Sequence, residues 1–136
     1  GHHPTEIAAT IRGAVTSYGR RLFVLFQPHR YSRTQSVANE SGHCFDGAHR
    51  VFVTDIYPAG EKPIPGVSAH TIIDRVKAQS QVQIEHAPSV DAMLDRVAAE
   101  LQPGDIVLTM GAGDIYKSGE KLLERLARVA EGKDAR

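Results

Sequence analysis

The chain has 136 residues, of which 41% are apolar and 24% charged, ordinary values for one folded domain with a real core. Its 16 basic side chains match its 16 acidic ones, so the formal net charge is zero. That balance argues against a broad nucleic-acid or membrane-surface footprint, though not against a local anion site. Cys44 is the sole cysteine, which excludes an internal disulfide and fits a reducing cytoplasm. No apolar run approaches the length of a membrane span, and no signal peptide opens the chain. Gly1-His2-His3 reads as native sequence, because it leads through Pro4-Thr5-Glu6 straight into an apolar-periodic segment.

The spacing predicts a first helix over His3–Tyr18, with Pro4 in its first turn and an apolar stripe of Ile7, Ala8, Ile11 and Val15. Gly19 is placed to end it. Leu22–Phe26 is a short apolar run rich in β-formers, a buried strand stopped by Pro28. Ser36–Ala48 reads as a second helix, interrupted by Gly42 and Gly47, and Val51–Ile56 as a second strand. Residues Pro58 to Gly66 form a stiff proline-rich loop. Ser68 caps a third helix over His70–Ala78, and Val82–Glu85 is a third strand. Ser89 caps a fourth helix that buries Val90, Leu94, Val97 and Leu101. After a Pro103-Gly104 turn, Asp105–Met110 is the last strand. Gly111-Ala112-Gly113-Asp114 then opens a final helix carrying Leu122, Leu123, Leu126 and Val129, with a frayed tail from Glu131. Strict alternation of helices and strands implies one α/β domain over residues 1–136, a three-layer, Rossmann-like fold with a mostly parallel sheet.

Candidate chemistry sits where such a fold keeps its sites, beyond the carboxyl ends of the strands. Behind the first strand come Gln27, His29, Arg30, Tyr31 and Arg33. Arg30 and Arg33 are three apart, so a helical turn here places both guanidinium groups on one face. Such a pair suits a carboxylate or a phosphate, which the guanidinium fork grips by two oxygens. The alternative is a solvated arginine pair capping an ordinary loop. Gly111–Ser118 follows a strand and ends in Lys-Ser, but Tyr116 stands where a phosphate loop or a dinucleotide fingerprint needs glycine. A tight turn whose glycines allow close packing explains it better. The histidines show no metal-ligand spacing, and Cys44 reads as packing. Asp55 ends a strand and is either a site residue or an anchor of the proline loop.

Four stretches, GHHPTEI, FQPHRYSRT, DIYPAGEKPIPG and LTMGAGDIYK, in this order, resemble the C-terminal domain of a Mur ligase. The resemblance runs from Gly1 to Lys117 and is nearest to the branch that joins L-alanine to UDP-N-acetylmuramate. It implies a three-domain enzyme of peptidoglycan synthesis whose first two domains, for the UDP-sugar and for ATP, lie outside this chain. ATP and magnesium are then bound mainly by the central domain, and no cofactor or metal is expected in this fragment. The γ-phosphate of ATP passes to the lactyl carboxylate, and the amine of L-alanine attacks the resulting acyl phosphate. By resemblance, Arg30 and Arg33 hold the L-alanine carboxylate, His29 walls its pocket, and His2 is the catalytic candidate near the acyl phosphate. Tyr31, Asp55, Gly111, Gly113 and Asp114 complete the candidate set. The fragment alone is expected to be inactive, cytoplasmic, and free of nucleic-acid and membrane partners. The murein tripeptide recycling ligase, a free-standing α/β anion-binding module and a flavodoxin-like scaffold are the rival readings.

Overall fold

The computed structural model describes residues 3–111, 115–117, 119–124 and 126. Four strands, β1 (Leu22–Gln27), β2 (Arg50–Val53), β3 (Ile84–His86) and β4 (Ile106–Gly111), form one sheet in the order β3-β2-β1-β4. Every neighbouring pair is parallel. The helices are α1 (Pro4–Tyr18), α2 (Tyr31–Val37), α3 (Ala69–Gln79) and α4 (Val90–Glu100), and residues 119–124 are also helical.

The strand β1 explains the layering. Successive side chains of a strand point to opposite faces. Leu22, Val24 and Phe26 join one buried cluster with Ile7 and Ile11 of α1 and Ile72, Ile73 and Val76 of α3. Phe23 and Leu25 join a second with Met93, Leu94 and Val97 of α4 and with Leu122. A strand covered on both faces must be apolar throughout, which is why Leu22–Phe26 reads as a continuous run rather than an alternation. The expected three-layer, parallel α/β architecture is the one observed.

Helix ends follow their signals. Gly19 closes α1 at φ 59, in the left-handed region, and its N–H reaches the Val15 carbonyl. Ser68 caps α3 through the His70 N–H, and Thr71 bonds back to the Ser68 N–H. Ser89 caps α4 through the Ala92 N–H. Leu101 is the residue that ends α4 and is only half-buried, and Val15 is 36% exposed, so the two apolar stripes are shorter than their spacing suggests.

The second helix is the main correction. It lies at Tyr31–Val37 and gives way to a 3-10 turn at Ala38–Glu40, instead of spanning Ser36–Ala48. Residues 41–48 fold as successive turns, with Cys44 N–H to Ser41, Asp46 to His43 and Ala48 to Phe45 carbonyls. Gly47 at φ 97 cannot continue a helix. The turns instead drive Cys44 and Phe45 into the core, where Phe45 meets the Phe26 ring edge-on at 5.4 Å. The ladder of β2 ends at Val53 rather than Ile56, although Thr54 still donates to the Phe26 carbonyl. The third strand starts at Ile84, two residues later than expected.

Sheet order reverses beside β1: the chain moves outward through β2 and β3, then returns to place β4 on the other side of β1. The crevice at such a reversal is where open α/β sheets bind ligands. At its floor Gly111 pairs with Gln27, at φ 115, and a Cβ there would stand 2.0 Å from the Gln27 carbonyl oxygen. The close-packing reading of that glycine is the one the geometry supports.

Candidate functional site

The carboxyl end of β1 runs through Gln27 and Pro28 to His29, which makes an isolated parallel bridge with Tyr57. Tyr57 donates its N–H to the Pro28 carbonyl at 2.9 Å and accepts the Arg30 N–H at 2.8 Å. Arg30 sits between that bridge and α2 with φ 62 and ψ 147, a conformation that nearly always belongs to glycine. Its own carbonyl is taken by the Thr34 N–H and hydroxyl. The backbone on either side is therefore tied, and the strained residue is held in place by its neighbours.

This turn aims both arginines outward. Arg30 and Arg33 are exposed and line a groove of about 500 Å³ with Ser32, Ser36, His3 and Glu40. The expected juxtaposition of Arg30 and Arg33 is thus present. His3 precedes α1, and its Nδ1 accepts the Thr5 N–H at 3.1 Å. Its Nε2 lies 3.5 Å from the Glu40 carboxylate. The groove therefore carries two guanidinium groups and a carboxylate. That is the charge pattern of a site for a small zwitterion or acid.

His29 is half-buried, with its ring stacked on that of Tyr57 at 6.1 Å between centroids. Burial lowers its pKa, and the Arg30 and Arg33 charges lower it further, against a smaller opposing pull from Glu61. His29 is not among the residues that line the groove of Arg30 and Arg33. Tyr31 opens α2 and is half-buried. Asp55 turns away from the arginines: its Oδ1 lies 2.6 Å from His86 Nε2, and its carbonyl accepts from the Gln27 side chain at 3.2 Å. The His86 ring in turn lies 4.8 Å from that of His70. Of the remaining sequence candidates, Gly111 ends β4, whereas His2, Gly113 and Asp114 lie outside the described residues.

The sequence reading missed Glu61. Its carboxylate accepts the Ser32 N–H at 2.9 Å and the Ser32 hydroxyl at 2.5 Å, and these bonds hold its pKa below the usual carboxylate range. The Pro58-Ala59-Gly60 turn before it was a signal for a fixed position, but nothing in the sequence names the partner. Among the described residues, no group of three or more His, Cys, Asp or Glu side chains is placed to hold a metal. A separate cavity of about 610 Å³ between α4, β4 and the final helix is lined by Leu101, Val107, Leu122 and Leu123. Among its described lining residues Asp105 is the only charged one, and it is engaged by Arg21.

Comparison with known proteins places this geometry in context. The family model described as "Mur ligase, glutamate ligase domain" matches residues 1–113. The chain is 47% identical over 132 residues to the UDP-N-acetylmuramate–L-alanine ligase of Solibacter usitatus, covering 97% of this chain and 28% of that protein. It is 47% identical over 126 residues to the namesake ligase of Geotalea uraniireducens, covering 93% and 28%. The chain thus spans little more than a quarter of the length of these relatives. The crystal structure of a murein peptide ligase from Psychrobacter arcticus superposes with a TM-score of 0.70 at 21% identity, over 93% of this chain and 26% of that one, a likeness of fold alone.

Proposed function

The chain belongs to the Mur ligase family through its glutamate ligase domain, and on that premise we propose that it is the C-terminal domain of an ATP-dependent ligase joining L-alanine to UDP-N-acetylmuramate in peptidoglycan synthesis. The observation that carries the proposal is the groove in which Arg30 and Arg33 stand together at the carboxyl end of β1. The names and 47% identity of the two relatives favour L-alanine as the incoming substrate over the murein tripeptide. In this reading the guanidinium groups take the alanine carboxylate by charge-assisted, two-oxygen hydrogen bonds. The alanine amine is thereby turned towards the acyl phosphate of the UDP-sugar, and catalysis comes from positioning. Glu40, across the groove, faces the ammonium end of the zwitterion before that proton is lost.

In this reading ATP, magnesium and the UDP-sugar are held mainly by the other domains of the full ligase. His2, Gly113 and Asp114 stay in the proposal as sequence candidates. No helix among the described residues is long and apolar enough to cross a membrane. We assign the ligase to the cytoplasm from the nucleotide nature of its substrates.

The test is steady-state kinetics of the full ligase carrying Arg30→Ala or Arg33→Ala. Each loses charge-assisted bonds of about 2 kcal/mol, so the KM for L-alanine rises roughly 30-fold while that for ATP holds. A change confined to ATP affinity would falsify the clamp. The isolated chain is expected to show no ATP-dependent alanine ligation in the same assay.

A further inference from the structure

We propose that Glu61 is a positioning residue of the amino-acid clamp, acting as a remote cap on the helix that carries Arg33. The proposal rests on the clamp reading above and extends it to a residue that never touches the substrate.

The first N–H groups of a helix have no partner within it. At α2 the capping position is occupied by Arg30, which has no side-chain oxygen, and it makes no side-chain cap. The Ser32 N–H, in the first turn, is taken instead by Glu61 Oε1, from 29 residues further along the chain. Glu61 Oε2 takes the Ser32 hydroxyl, so both carboxylate oxygens are used on the residue between the arginine-bearing turn and Arg33. A carboxylate at a helix N-terminus also meets the positive end of the helix dipole.

Glu61 is itself held. Its N–H donates to the Pro58 carbonyl at 3.0 Å, closing a turn in which Ala59 at φ 50 and Gly60 at φ 83 are both left-handed. Just upstream, Tyr57 carries the two backbone bonds to Pro28 and Arg30. The proline-rich loop thus grips the arginine segment on both sides of Arg30: at the backbone through Tyr57, and at Ser32 through Glu61. Truncating Glu61 leaves Arg30 and Arg33 in the protein but loosens the turn that aims them. A displacement of the order of 1 Å at a positioning group is costly for a bound reactant.

The experiment is kinetic, on the full ligase. Glu61→Ala, which removes both bonds to Ser32, is expected to raise the KM for L-alanine about tenfold, with the KM for ATP and kcat at saturating alanine within about twofold. Glu61→Gln, which still accepts the Ser32 N–H, recovers most of that loss. Because Glu61 acts through the helix that carries Arg33, Glu61→Ala added to Arg33→Ala costs little beyond Arg33→Ala alone. Ser32→Ala removes only the hydroxyl bond, keeps the fold, and raises the alanine KM by about threefold, so it carries the test if Glu61→Ala is unstable. Four results overturn the proposal while leaving the clamp intact: an unchanged alanine KM in Glu61→Ala and Ser32→Ala, a lowered one, equal rises for alanine and ATP, or full additivity with Arg33→Ala. If Arg30→Ala itself leaves the alanine KM unchanged, the clamp reading fails first and this proposal falls with it.

Discussion

Arg30 occupies φ 62 and ψ 147, where a Cβ is badly tolerated, and its side chain is exposed. Holding a residue other than glycine there costs about 1–3 kcal/mol. Arg30→Gly removes that cost in the folded state and adds about 0.5–1 kcal/mol of backbone entropy to the unfolded chain. The difference predicts a folded domain more stable than the wild type by up to about 2 kcal/mol. Arg30→Ala is the control. It deletes the same exposed side chain but keeps the Cβ, so its stability should match the wild type within about 0.5 kcal/mol. Urea unfolding of the three chains, compared at a common slope, reads the difference directly. Both substitutions delete the guanidinium and should weaken alanine binding equally in the full ligase, so stability and function part company at one residue. If Arg30→Gly proved no more stable than Arg30→Ala, the left-handed backbone would not be enforced by its neighbours, and the argument from strain to function would collapse.

Three further outcomes follow from geometry. Gly111→Ala places a Cβ 2.0 Å from the Gln27 carbonyl oxygen at φ 115, between two paired strands, and should cost at least about 3 kcal/mol in urea unfolding; a loss below about 1 kcal/mol would contradict the register of β1 on β4. Cys44 is buried with its thiol pushed up to about 12, so iodoacetamide at pH 8 should label the native chain only as fast as it unfolds, and rapid native labelling would argue against that burial. Asp105, gripped by two Arg21 bonds at 3.0 and 2.7 Å, is held down to about 2 from 3.8. Its contribution is therefore present above pH 4 and lost as the pH falls towards 2. It amounts to about 1 kcal/mol after solvent screening, and a pH series on Asp105→Asn should lack it.

The layers were legible because burial on both faces leaves an unmistakable trace. Leu22–Phe26 and Val51–Val53 are apolar at every position, and the serine caps of α3 and α4 announce themselves locally. The second helix was misplaced for a physical reason. Its start depends on Arg30, which no propensity would put in a left-handed conformation, and on a cap from Glu61, 29 residues away. The segment predicted as helix owes its actual turns to Gly47 and to the pull of Cys44 and Phe45 into the core, which is a tertiary effect. Asp55 shows the same limit: at a strand end it was a fair candidate, but the pairing with His86 depends on how β2 and β3 are aligned.

The candidate site divides along the same line. The groups proposed to bind, Arg30 and Arg33, are neighbours in sequence, and three-residue spacing was enough to see that they could share a face. The groups that aim them, Tyr57 and Glu61, are distant in sequence and act through a backbone carbonyl and a carboxylate, which carry no spacing signature. A guanidinium fork gains its advantage over a point charge only when its plane is fixed relative to the carboxylate. Two arginines on a free loop would attract any anion, a phosphate as readily as an amino acid. Here Arg30 and its carbonyl are tied at both ends, and the first turn of α2 is capped from outside. In the proposed function, selection for a small amino acid would therefore rest as much on the proline-rich loop as on the arginines. Lengthening that loop between Tyr57 and Glu61 should blunt the preference for alanine before it abolishes anion binding.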